Sequence, residues 1–80
     1  MTKELAIQQI EFIKSHRQDE NIHGALNEIK TFVENQGEYD RVKTNHYIDT
    51  LMPTKMGGVY IEIGRSLRWL KQRLKIQHKT

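Results

Sequence analysis

The sequence predicts an all-α protein, a small single-domain bundle of three to four helices closed by a long basic C-terminal helix. Three observations lead there. Apolar residues recur at helical spacing through four segments, polar or glycine-bearing stretches separate these segments, and residues of helix-capping type stand at the starts of the first three. Eighty residues suffice for one domain, assigned here to residues 1–80 as a single helical unit.

The first helix is expected over about residues 2–16. Thr2 can cap it, and Glu4 places a negative charge where the helix dipole favours one. Its apolar residues Leu5, Ala6, Ile7, Ile10, Phe12 and Ile13 cover more than half the circumference at about 100° per residue. A face that broad implies contacts on two sides, either a central position or a dimer seam. The stretch SHRQDEN then breaks the pattern, and Asp19 or Asn21 can cap a second helix. Ile22, Leu26, Ile29 and Val33 form the stripe of that helix, with Ala25 and Phe32 beside it. Gly37 stands where a helix stop is expected, and Asp40 can cap the third helix.

The third helix, about 40–52, carries Tyr47, Ile48 and Leu51 on one face, with Met52 at its edge. Pro53 forces an end near Met52, and PTKMGG reads as a loop. The fourth helix is expected over about 59–77. VYIEI taken alone has strand propensity, so a short strand is the alternative for 59–63. The continuing period Tyr60, Ile63, Leu67, Leu70, Leu74 favours helix.

Hydrophobic residues make up 36% and charged residues 29%, which is lean for a monomeric core and implies a homodimer. No cysteine is present, so neither disulfides nor thiolate–metal sites can stabilise the chain. No apolar run approaches the roughly 18 residues of a membrane span. MTKELAIQQIEF, with acids and glutamines inside its apolar part, is unlike a signal peptide, so the expected location is the cytoplasm. The net charge of +3 hides a polarity. Residues 1–40 carry four Lys/Arg against eight Asp/Glu, whereas residues 41–80 carry nine against two, with no acid after Glu62.

The basic end contains an anomaly. Tyr60, Ile63, Leu67, Leu70 and Leu74 project within an arc of about 80°, yet Trp69 lies about 140° from its centre. Arg65 and Arg73 are its neighbours one turn away on either side, and Ile76 lies further along. Arg68, Lys75 and Lys79 occupy the adjoining face, with Lys71 nearer the stripe. Trp69 therefore either packs under a neighbouring element or forms a binding surface with these arginines, since Trp and Arg are enriched at interface hot spots. The candidate partner-binding residues are Arg65, Arg68, Trp69, Lys71, Arg73, Lys75, Ile76 and Lys79. Arg41 and Lys43 would extend the patch if the third helix packs beside the fourth.

Catalysis has little support. Ser15 and Ser66 lack a triad or nucleophile-elbow context, and the glycines of MGGVYIEIG lack phosphate-loop spacing. His16, Asp19, Glu20 and His23 straddle an expected helix break, where they cannot share one helix face as metal ligands. No metal, cofactor or enzymatic activity is expected. A helix-turn-helix centred on Gly37, with Arg41, Lys43, Asn45 and His46 as groove readers, has the right outline. Lys43, however, falls where an apolar anchor is needed.

Two functions follow. The first is a nucleic-acid-binding regulator whose fourth helix neutralises DNA or RNA phosphates while Trp69 stacks or wedges. The second is a protein-binding inhibitor or adaptor, of the accessory kind found in bacteria and phages, docking on an acidic partner through Trp69 and its flanking arginines. A third arrangement sets the acidic half of one copy against the basic half of another.

Overall fold

A computed structural model describes residues 1–52 and 58–77, without the side chains of 58, 59, 76 and 77. Four helices follow in order, α1 (Lys3–His16), α2 (Glu20–Glu34), α3 (Arg41–Leu51) and α4 (Gly58–Gln77). No strand occurs among the described residues, and 59–63 belong to α4, so the helical period prevails over the local strand propensity of VYIEI. α3 ends at Leu51 with Met52 as its C-cap, as expected ahead of Pro53, and Gly58 of the expected PTKMGG loop already belongs to α4; residues 53–57 lie outside the described residues.

Capping chemistry sets three of the starts. Thr2 Oγ1 accepts from Leu5 N at 3.2 Å, Asp19 Oδ1 accepts from Asn21 N and Ile22 N at 2.7 and 3.3 Å, and Asp40 Oδ1 accepts from Lys43 N at 3.0 Å. Each satisfies amide donors that have no partner inside the first turn.

The helix ends follow different rules. Gly37 is not the stop of α2, since no glycine among the described residues has positive φ and the C-cap is Asn35, in right-handed geometry. The last carbonyls of α2 are instead satisfied from outside. Lys3 Nζ reaches across from α1 and donates to Glu34 O at 3.1 Å and Gln36 O at 2.7 Å, a cation at the negative end of the helix dipole. Gln36 then clasps the turn: its Oε1 accepts from Asp40 N at 2.7 Å, and its Nε2 donates to the buried Thr44 Oγ1 at 2.9 Å. The C-terminus of α1 is served similarly, because His23 Nε2 lies 2.9 Å from Lys14 O and also contacts Arg17 O. Of the polar residues around this break, Asp19 therefore holds the start of α2 and His23 the end of α1.

α2 and α4 each pack against all three other helices, whereas α1 and α3 meet only through them. Ala6, Ile10 and Ile13 of α1, Ile22, Leu26, Ile29 and Val33 of α2, Ile48 of α3, and Leu67, Leu70 and Leu74 of α4 form the core. The broad apolar face of α1 is explained within the chain. It packs on α2 and α4, and Ile7 and Phe12 at its edges are partly buried against the core. Glu11 adds a surface link between α1 and α2. The 3.0 Å contact with Lys30 holds its carboxyl below the usual range. At the α2–α3 turn, burial pushes the Tyr39 phenol up to about 12. The stability gained from that neutral phenol is present below the ordinary tyrosine value and is lost as pH rises towards about 12.

Two glycines give a direct test of this description. Gly24 lies on the exposed side of α2, and a methyl group there would meet nothing within 4 Å. Gly24→Ala should stabilise the protein by about 0.5–1 kcal/mol, by removing the entropic penalty of glycine inside a helix. Gly37 is equally unobstructed and has no positive φ, so Gly37→Ala should be neutral or stabilising by up to about 1 kcal/mol. Thermal unfolding checks both, and a lower Tm for Gly37→Ala would restore the left-handed stop that its position in the sequence suggests.

Candidate functional site

α4 is about 30 Å long at 1.5 Å per residue, and its contacts with three neighbours divide its side chains into those the fold uses and those left outside. Leu67, Leu70 and Leu74 point into the core as expected and Ile63 is partly buried against it, but Tyr60, the first residue of the expected stripe, is exposed; Ser66 is also fully buried. Burial of Ser66 widens the inward face towards α1, and Trp69 and Arg73 lie on the same flank of the helix.

Trp69 does not stand in a solvent-facing strip. Its ring is partly buried against the core, edge-on to Phe12 with centroids 5.6 Å apart and to His16 at 5.8 Å. The Arg17 guanidinium sits 5.0 Å from the ring centroid, covering one indole face, and its Nε donates to Ser66 Oγ at 3.2 Å. Trp69 is therefore built into the α1–α4 seam, and any stacking or wedging role would be shared with its packing on α1. A base would have to displace Arg17 to reach that face, and the edge of the ring is engaged by α1.

Arg73 belongs to the same seam. Its Nε donates to Oε1 of the buried Gln9 at 2.7 Å, and its guanidinium lies 3.8 Å from the Phe12 centroid. Two arginines thus bridge α1 and α4 in opposite directions, Arg17 from α1 to Ser66 and Arg73 from α4 to Gln9, each lying over an aromatic ring. Cation–π contacts of this kind contribute about 0.5–2 kcal/mol, depending on exposure. Arg73 accordingly contributes to the packing of this seam. Lys71 is also engaged, since its Nζ meets Asp49 Oδ1 of α3 at 2.6 Å.

Arg65, Arg68 and Lys75 remain, all exposed, with exposed Gln72 among them. They project within an arc of about 80° and span roughly 15 Å of helix axis. Arg65 pairs with Glu62 at 3.4 Å, but both side chains are largely solvent-exposed, so the pair is weak. The Arg68 guanidinium folds over Gly64, where a Cβ would lie 3.7 Å from Nη1. Lys79 and the side chain of Ile76 lie outside what the structure describes.

Arg41 and Lys43 do not extend this strip as expected, although α3 does pack on α4. α3 faces α4 through Asp49, and Lys43 lies about 120° around the helix from there. Lys43 instead lines a groove of about 350 Å³ between α2 and α3, together with Phe32, Val42, His46, Tyr47 and Thr50. Arg41 is half-buried at the start of α3, and the buried Oδ1 of Asn45 makes it a poor outward reader.

Sequence reasoning missed Gln9, Arg17 and Ser66 as partners of the basic helix, and it missed the groove. Val42 carried an available signal, because it projects away from the Tyr47–Ile48–Leu51 stripe just as Trp69 projects away from its own. No protein-family model, curated protein or solved structure matches the chain.

The division of α4 has a measurable consequence. Trp69→Ala should cost about 2–3 kcal/mol in urea unfolding, because it removes a partly buried indole and its edge-on and cation contacts. Arg68→Ala should stay within about 0.5 kcal/mol of the parent. Equal stabilities for the two variants would return Trp69 to the surface.

Proposed function

We propose that the protein is a small non-enzymatic regulator that binds nucleic acid through the outer face of α4, with Arg65, Arg68 and Lys75 on phosphates. One observation carries this reading. After the fold has engaged Lys71, Arg73 and Trp69, three cations still share one exposed face of a helix whose sequence has no acid beyond Glu62. Guanidinium and ammonium groups on a rigid rod neutralise phosphate without reading base edges, so the binding is electrostatic and tolerant of sequence. Both duplex DNA and helical RNA present a phosphate track to such a rod.

The reading includes action in the cytoplasm as a homodimer, in which two copies set two strips on one nucleic acid. The alternative, docking of α4 on an acidic protein, is weaker because Trp69, its apolar anchor, is packed on α1.

Three phosphate contacts per copy give a salt slope of about −2.7, so duplex affinity should fall about fortyfold between about 50 and 200 mM salt. A homodimer with both strips engaged would double that slope. Fluorescence anisotropy with a labelled duplex and an RNA hairpin measures it. Arg65→Ala, Arg68→Ala and Lys75→Ala combined should flatten the slope while leaving circular dichroism unchanged. Absence of binding at about 50 mM salt, or salt-independent binding, overturns the reading.

A further inference from the structure

The α2–α3 groove is separate from the α4 strip, and nothing in the nucleic-acid reading uses it. Its floor is formed by Phe32 of α2 and Tyr47 of α3, whose rings stack with centroids 4.3 Å apart and planes within 1° of parallel. Both rings are half-buried, so this stack supports the helix pair and also offers apolar surface to the outside. Val42 stands at the groove's wall with 73% of its surface exposed. Tyr60 is the other large apolar side chain left exposed among the described residues, and it lies on a different helix. A small chain with a lean core leaves a valine outside at a cost in burial, and here that valine borders a cleft floored by two aromatic rings.

Lys43 and His46 are among the residues that line the groove, and no carboxylate is. Lys43, like Lys3 and Lys75, makes no ion pair among the described residues, so its ammonium is open to a carboxylate from outside. The groove therefore complements an occupant with an apolar ridge and acids beside it. An open cleft between two helices receives such a ridge best from a third helix, by the helix-in-groove mode. A second copy fits worse. Pairing groove to groove would bring Lys43 towards its own duplicate, and like charges in a desolvated interface oppose association.

We infer that the groove between α2 and α3 docks an amphipathic helix of a partner protein, with an aliphatic or aromatic anchor resting on Phe32 and Tyr47 beside Val42 and acidic side chains reaching Lys43 and His46. α3 is suited to adjust to such an occupant. Ile48 and Thr44 are its buried side chains, so it is held less firmly than the helices that carry three or four core residues.

The test uses the full chain, isotopically labelled, and two blocked synthetic helices that share a leucine stripe, one flanked by glutamates and one by lysines. The glutamate helix should shift the backbone resonances of Phe32, Val42, Lys43, His46, Tyr47 and Thr50 in a saturable manner. The lysine helix should bind at least about tenfold more weakly. Val42→Glu and Lys43→Glu should each weaken the glutamate helix by about tenfold or more, with unchanged circular dichroism. Val42→Glu should also leave duplex affinity unchanged, which separates this surface from the α4 strip. Equal binding of the two helices, or shifts confined to α4, overturns the inference. So does movement of the groove resonances with protein concentration alone, accompanied by a dimer in sedimentation, because a second copy would then be the occupant. Groove shifts produced by nucleic acid in place of peptide overturn it as well.

Discussion

α4 has to pack on three neighbours at once, and that obligation determines what its basic residues are free to do. In a chain of 80 residues no helix can be spared from the core, since buried apolar area barely offsets the entropy of ordering the chain. The leucine stripe alone would hold one side of α4. The flank towards α1 needs a second kind of contact, and the sequence supplies arginines laid over aromatic rings with their nitrogens on buried polar atoms.

This arrangement reconciles a strongly basic helix with a buried seam. Guanidinium is weakly hydrated and planar, so it covers an aromatic face while its edge still donates hydrogen bonds. Arg17 and Arg73 both do so, one over Trp69 and onto Ser66, the other over Phe12 and onto Gln9. Neither burdens the interior with an unpaired charge, because each guanidinium is only half-buried and its polar partner lies within hydrogen-bond reach. Part of the positive charge in the second half of the chain is thus architectural. Outside this packing remain a narrower strip, Arg65, Arg68 and Lys75, and a separate groove between α2 and α3.

Trp69 and Val42 show how far the sequence could be read. Both project away from the apolar stripe of their helix, and by that criterion both look available to a partner. Trp69 is covered because α1 closes over that flank of α4. Val42 stays exposed because α3 has neighbours on the α2 and α4 sides alone. A stripe locates the first neighbour of a helix, but only the arrangement of all four helices shows whether there is a second. Gly37 fails for a related reason. The stop of α2 is made by Lys3 from another helix and by the Gln36 side chain, so the glycine has no conformational task there.

The sequence by itself determined the all-helical class, the caps at Thr2 and Asp40, a cap for α2 at Asp19 or Asn21, the core stripe of α2, and that of α4 from Ile63 onward but not at the exposed Tyr60. All of these depend on hydrogen bonds and periodicities that act within one turn or one face. Only the tertiary structure decided which arginines are packing residues, where the indole rests, and that an apolar groove opens between α2 and α3. Those outcomes rest on contacts between residues such as Gln9 and Arg73, or Phe32 and Tyr47, which no spacing along the chain brings together. Their positions are settled by how α1 and α3 lean on the α2–α4 pair.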